Sequence, residues 1–145
     1  MCVDGDDSIL SIARRKAEIA GLDIEFHRAF SHALPYSDGS FDQVTSSLFF
    51  HHLSWTDKQR TAMELCRVIR PGGQLHVADW GPASGPLMRA AFLGVQLLDG
   101  FKNTQDNVSG RLPELFRASG FTDVVQTGAL STVFGTLALY RGTRV

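Results

Sequence analysis

Cysteine is scarce. Cys2 and Cys66 are the only two among 145 residues, too few for a disulfide framework, and neither has a second Cys or a His at metal-ligand spacing. A disulfide-stapled scaffold and a zinc module are thereby disfavoured; no metal is expected, and reduced thiols in the cytoplasm fit best. A strong charge of one sign is also missing: the formal net charge is −1 and the longest basic run is Arg14-Arg15-Lys16, so neither nucleic acid nor an anionic membrane is an expected partner. No stretch approaches the ~18 apolar residues of a membrane span. The start, Met1-Cys2-Val3-Asp4-Gly5-Asp6-Asp7, lacks the basic segment and apolar run of a signal peptide. The expected partner is a small molecule. Of the 14 glycines none forms G-x-G-x-G between a strand and a helix, the arrangement that brings backbone amides close to a cofactor.

What is present is enough apolar content, 43%, for one domain over residues 1–145. Asp6 or Asp7 caps a helix whose apolar positions Ile9, Leu10, Ile12, Ala13, Ala17 and Ala20 recur at three-to-four spacing, with Gly21 placed to end it. Ile24 to His27 reads as a short strand, Asp38-Gly39 as a turn, and Phe41 to Phe50 as holding another strand. Thr56 with Gln59 suggests a capping box for a helix through Val68, stopped by Pro71-Gly72-Gly73 before a strand from Gln74 to about Trp80.

Leu87 to Leu98 trace a broad apolar helical face, and the polar stretch Gly100 to Asn107 reads as a surface loop or lid. Ser109 is placed to cap a short helix with Leu112, Leu115 and Phe116, ended by Gly120; Thr122 to Gln126 and Thr132 to Tyr140 read as a closing hairpin. Helix and strand alternate through the first half. The implied class is α/β: a Rossmann-like, mostly parallel sheet with helices on both faces and a C-terminal antiparallel hairpin.

Four segments then occur in one order: Val3-Asp4-Gly5-Asp6 before a helix; Leu34-Pro35-Tyr36 leading to Ser40-Phe41-Asp42-Gln43-Val44; Leu48-Phe49-Phe50-His51-His52-Leu53; and Arg67-Val68-Ile69-Arg70-Pro71-Gly72-Gly73 before a strand. Together with the late Gly120-Phe121 and terminal strand pair, this order resembles the small-molecule class I S-adenosylmethionine-dependent methyltransferases of the ubiquinone/menaquinone type, along essentially the entire chain. The resemblance implies S-adenosyl-L-methionine as cofactor and a small-molecule methyl acceptor. It does not name the acceptor, because one fold hosts many chemistries.

The resemblance places Asp4 at the carboxyl end of a strand where an acid accepts hydrogen bonds from the two ribose hydroxyls, with Gly5 allowing the sharp turn beside it. The alternative is that Asp4, like Asp6 and Asp7, only polarises the following helix. Relatives often carry an acid for the adenine amino group after the third strand; here Phe30 or His32 stands there. Phe30 and Ser31 either contact the adenine or are a core Phe and a solvated Ser. Leu48 to His52 leave the next strand on the ligand side, so Leu48 is expected near the cofactor. His51 and His52 are then candidates to orient a substrate hydroxyl or take its proton; otherwise one caps backbone groups and the other faces solvent. Asp79 and Trp80 end the following strand on the same side, where a capping Asp and a core-edge Trp are the ordinary account.

In this family a first strand and Gly-rich loop hold the cofactor's amino-acid end. The resemblance implies that the sequence begins after that unit of roughly 30 or more residues, leaving a slot between the strand at Asp4 and the strand at Phe41. Unpaired edges follow, with poor stability or self-association through the sheet edges as the expected consequence. Two functions are compatible with this: a methyltransferase, or a non-catalytic remnant or interaction module pairing with another chain or with itself.

Overall fold

The structure, a computed structural model, describes residues 1–83, 85, 92 and 101–145. The helix expected over Leu87 to Leu98 lies outside the described residues, apart from Phe92.

The chain opens with β1 (Cys2–Asp4), α1 (Asp7–Ile19) and β2 (Phe26–Arg28). Asp6 is the N-cap of α1, its carboxylate accepting from Ser8 N at 2.7 Å, which satisfies one amide the helix start leaves unpaired. Leu10 and Ala17 are the buried positions of α1, one face turned to β1 and β2. The two strands pair in parallel, Val3 opposite His27.

β3 (Phe41–Ser47) leads through a 3₁₀ turn, Phe50–His52, into α2 (Trp55–Val68) and β4 (Ile69–Trp80). The cap of α2 is Ser54, not Thr56: its hydroxyl accepts from Asp57 N at 3.2 Å and donates to the Asp57 carboxylate at 2.6 Å. Pro71-Gly72-Gly73 is likewise not the gap between helix and strand. Helix gives way to strand directly at Ile69, and Pro-Gly-Gly lies inside β4 as a bulge between the Phe41–Ile69 and Gln43–Gln74 pairs. Gly72 takes φ 77, and a Cβ on Gly73 would sit 2.7 Å from Asp42 O, so two glycines let the extra residues fold against β3.

The polar stretch expected as a loop is helix α3 (Phe101–Val108). Its Thr104 and Asn107 are fully buried, so polar side chains here face inward onto partners rather than water. Ser109 closes this helix instead of capping the next, donating its N–H to Gln105 O at 2.9 Å. α4 (Leu112–Ala118) starts from Arg111, with Pro113 in its first turn. β5 (Phe121–Thr132) and β6 (Gly135–Arg144) form the closing hairpin; residues 127–131, expected to connect its strands, belong with Thr132 to β5, and the turn falls at Val133 and Phe134.

The sheet order is β1-β2 in one piece and β3-β4-β6-β5 in the other, with β3/β4 parallel and β4/β6/β5 antiparallel. This is the α/β class with parallel pairs and a C-terminal antiparallel hairpin. Inward residues of β4 alternate, Leu75, Val77 and Asp79 being buried. The main core joins Leu75 and Val77 to Phe50, Leu112, Phe116 and Tyr140, with Phe50 edge-on to Phe116 at 5.4 Å between ring centres. Among the described residues, β1 is paired only by β2 and β3 only by β4.

Candidate functional site

Between β1 and β3 lies a cavity of about 580 Å³. Consecutive residues of both strands line it, Met1 to Asp4 on one side and Gln43 to Ser47 on the other. Since successive side chains of a strand point to opposite faces, an unbroken run means that the backbone edges themselves border the space. Asp4, Gly5 and Ser31 meet at this cavity. The Asp4 carboxylate accepts from Asp6 N at 2.8 Å, which fixes it at the strand's end. A Cβ on Gly5 would lie 3.3 Å from the Phe30 ring, so the turn is built for a close approach by that ring. Ser31 shares a hydrogen bond with Thr61 of α2 at 2.8 Å.

Phe30 and Leu48 are not in the cavity wall. Phe30 is 65% exposed and stacks on His32 at 5.6 Å. Leu48 is partly exposed in a left-handed conformation, φ 50, an uncommon choice for a branched side chain; its N–H donates to Ala78 O at 2.8 Å. That bond turns the chain from β3 into the 3₁₀ segment.

His51 and His52 differ sharply although their rings are 3.9 Å apart. His52 is solvent-exposed, whereas His51 is buried and its Nδ1 lies 2.8 Å from Asp79 Oδ1. Asp79, fully buried at the end of β4, collects further donors. Phe49 N at 3.1 Å and Phe50 N at 2.7 Å meet Oδ2; Trp80 N at 2.7 Å and Asn107 Nδ2 at 3.1 Å meet Oδ1. A buried carboxylate is costly unless its lone pairs are filled, and here β4, the 3₁₀ segment and α3 all contribute.

Lys58 of α2 is also fully buried; its ammonium donates to Asn103 O at 2.5 Å and stands 3.8 Å from the Asp106 carboxylate. Burial pushes its pKa down, and the charges of Asp106 and Asp79 oppose that. Asp106 in turn pairs with Arg111 at 2.6 Å, whose guanidinium covers the Trp55 ring at 3.9 Å. The Tyr140 phenol, beneath, is pushed up to about 12 by burial and then by the charge of Asp79. Lys58, Asn107 and Tyr140 carry no sequence signal for this cluster, since they meet Asp79 only through the fold. Asp79 itself has one: an acid ending a strand on the ligand side. Among the described residues no group of three metal-ligating side chains occurs, and no helix is long and apolar enough to cross a membrane.

An α/β sheet with a cavity at an open strand edge and an acid at a strand's carboxyl end defines a Rossmann-like class. Within it the chain belongs to the methyltransferase-domain family, whose model matches residues 1–73. It is 45% identical over 74 residues to a demethylmenaquinone methyltransferase of Thermus thermophilus, covering 51% of this chain and 33% of that protein. It is 34% identical over 93 residues to the ubiquinone/menaquinone biosynthesis C-methyltransferase UbiE of Klebsiella pneumoniae, 62% of this chain and 36% of that one. The chain thus spans about a third of the length of these relatives. Among solved structures, a SAM-dependent methyltransferase of Methanosarcina mazei superposes with a TM-score of 0.74 at 18% identity, over 99% of this chain and 80% of that one, a likeness of fold.

Proposed function

We propose that residues 1–145 form the part of an S-adenosylmethionine-dependent methyltransferase domain that holds the cofactor's ribose and borders the methyl acceptor. The acceptor is a small, partly apolar metabolite of the quinone-precursor kind for which the curated relatives are named. The observation that carries this is Asp4 with Gly5 at the carboxyl end of a parallel strand, lining the cavity together with Ser31. A carboxylate there suits two vicinal hydroxyls, each donating one hydrogen bond.

S-adenosylmethionine would supply the methyl group from its sulfonium. Asp4 would accept from the ribose hydroxyls, Gly5 would let the chain pass close to them, and Ser31 in the cavity wall, with Phe30 outside it beside Gly5, would border the adenine side. Leu48 belongs to the turn that carries His51 and His52 toward the acceptor, where one of them orients a hydroxyl or takes its proton. The unpaired cysteines suit a cytoplasmic setting. The one-sided pairing of β1 and β3 supports self-association through sheet edges, which light scattering would detect as a mass above that of one chain.

The test is calorimetric titration of S-adenosylhomocysteine into the 145-residue chain. Saturable binding that weakens about tenfold or more in Asp4→Ala is expected, the loss of one charge-assisted hydrogen-bonding group. Equal affinity in the variant, or no binding by a folded chain, would overturn the reading.

A further inference from the structure

We propose that the outer edge of β5, over Gly128 to Thr132, is a pairing surface for a second copy of this chain, added antiparallel about a two-fold axis with Leu130 at its centre. This surface is separate from the facing edges of β1 and β3, and it does not depend on the function proposed above.

Among the described residues β5 pairs only with β6. An edge strand presents a row of backbone N–H and C=O groups on its outer side, ready to take another strand unless something blunts it. The first half of β5 is blunted. Its pairing with β6 shifts register between Thr122 and Val125 and again between Gln126 and Gly128, and Asp123 takes a left-handed φ of 49; bulges of this kind bend a strand and turn its edge away. From Gly128 to Thr132 the register runs unbroken against Leu139 to Gly135. The turn beyond is pinned, Thr132 Oγ1 donating to Gly135 O at 2.8 Å and accepting from Phe134 N at 3.2 Å. This half is regular, held at its end and open to solvent: Ala129, Leu130 and Ser131 are all exposed, Leu130 at 55%.

Charges and proline, the other devices that keep edges apart, are missing as well. From Val124 to Tyr140 the sequence has no Asp, Glu, Lys, Arg, His or Pro. That composition selects a copy of the chain as the occupant. In a two-fold pairing each residue near the axis faces itself or a close neighbour of its own segment, so any charge there would meet its like. An uncharged segment escapes this penalty, whereas a charged foreign strand would find no complementary charge along this edge. With Leu130 on the axis, its exposed side chain lies beside the partner's Leu130 as a cross-strand apolar pair. Ala129 then stands across from the partner's Ser131, and Gly128 from the partner's Thr132. Small side chains thus flank the apolar pair, and the two backbones can close to the strand spacing of about 4.8 Å. The contact is confined to one short edge, so the pair forms and dissociates with concentration.

Deuterium exchange of the full chain at rising chain concentration reads this edge apart from those of β1 and β3. In the wild type, amides within 128–132 should exchange more slowly as concentration rises. Leu130→Lys and Leu130→Glu each set like charges across the axis, and each alone should lose that protection, pairing about tenfold or more weakly. Mixed in equal amounts the two variants should regain it, because lysine then faces glutamate; a role of Leu130 confined to its own chain gives no such rescue. Unchanged exchange in β4 shows that each variant is folded. Exchange at 128–132 that does not respond to concentration in the wild type would overturn the proposal, and that reading needs no variant. Folded variants that keep the protection alone, or that fail to regain it when mixed, would overturn it equally.

Discussion

The two pieces of sheet are built to different standards. In the four-stranded piece, β4 and β6 are paired on both edges, and β4 alternates buried and half-buried residues from Gly73 to Trp80. β1 and β2 have three residues each, none of them buried, and among the described residues the facing edges of β1 and β3 are both unpaired. The ligand-binding candidates Asp4 and Gly5 stand on the weaker piece; Asp79 and His51 are anchored in the stronger. On the proposed assignment, cohesion and cofactor contact fall to different parts of the chain, as binding segments are drawn from regions of low local stability.

The strongest way to break this contrast is to hollow each piece in turn. Phe50→Ala removes a fully buried ring packed on Phe116 and should cost about 3–5 kcal/mol in urea unfolding. Val3→Ala, on half-buried β1, should cost less than about 1.5 kcal/mol. Equal costs would mean that β1 belongs to the same cooperative core.

Next comes Arg67, which ties α2 to the connection between β2 and β3. It donates to Tyr36 O and Asp38 at 2.7 Å, to Leu34 O at 3.2 Å and to Glu64 at 2.8 Å. Arg67→Met should lower the urea midpoint by less than Phe50→Ala does and by more than Ser54→Ala does, since its hydrogen bonds are those of a charged, partly exposed group. The side-chain bond from Arg67 holds the Glu64 carboxyl below its ordinary 4.5, opposed by desolvation and helped by Leu34 N–H. A carboxylate whose folded pKa is depressed stabilises above its unfolded value and loses that contribution as pH falls through the folded one. Wild-type stability should therefore drop more steeply below about pH 4.5 than that of Arg67→Met; parallel profiles would remove Glu64 from the clamp. The smallest effect separates two readings of one helix start: Ser54→Ala should cost about 1 kcal/mol and Thr56→Ala within about 0.5 kcal/mol of nothing.

Local rules carried the sequence reading where local chemistry decides. Asp6 caps α1 and Gly21 follows it with φ 64; the closing hairpin is present, but residues 127–131, expected as its loop, are strand. Chain order brought Asp4, Gly5 and Ser31 to one cavity. The misses share a cause. α3 reads as a loop because Thr104 and Asn107 are polar, and only tertiary partners make them interior residues. Thr56 with Gln59 imitates the Ser54 cap from inside the first turn of α2. Asp79 reads as a local cap, since its bonds to Phe49, Phe50, His51 and Asn107 join residues about thirty apart in sequence, a separation that pattern and period do not register.

The most direct test of the central claim, that the cofactor sits against the weaker piece, is backbone deuterium exchange of the full chain with and without S-adenosylhomocysteine. The expected result is slowed exchange at residues 2–5 and 43–47, which border the cavity, with the β5–β6 hairpin unchanged. Slowing confined to the hairpin, with none at β1, would contradict the assignment of Asp4 and of the cavity beside it.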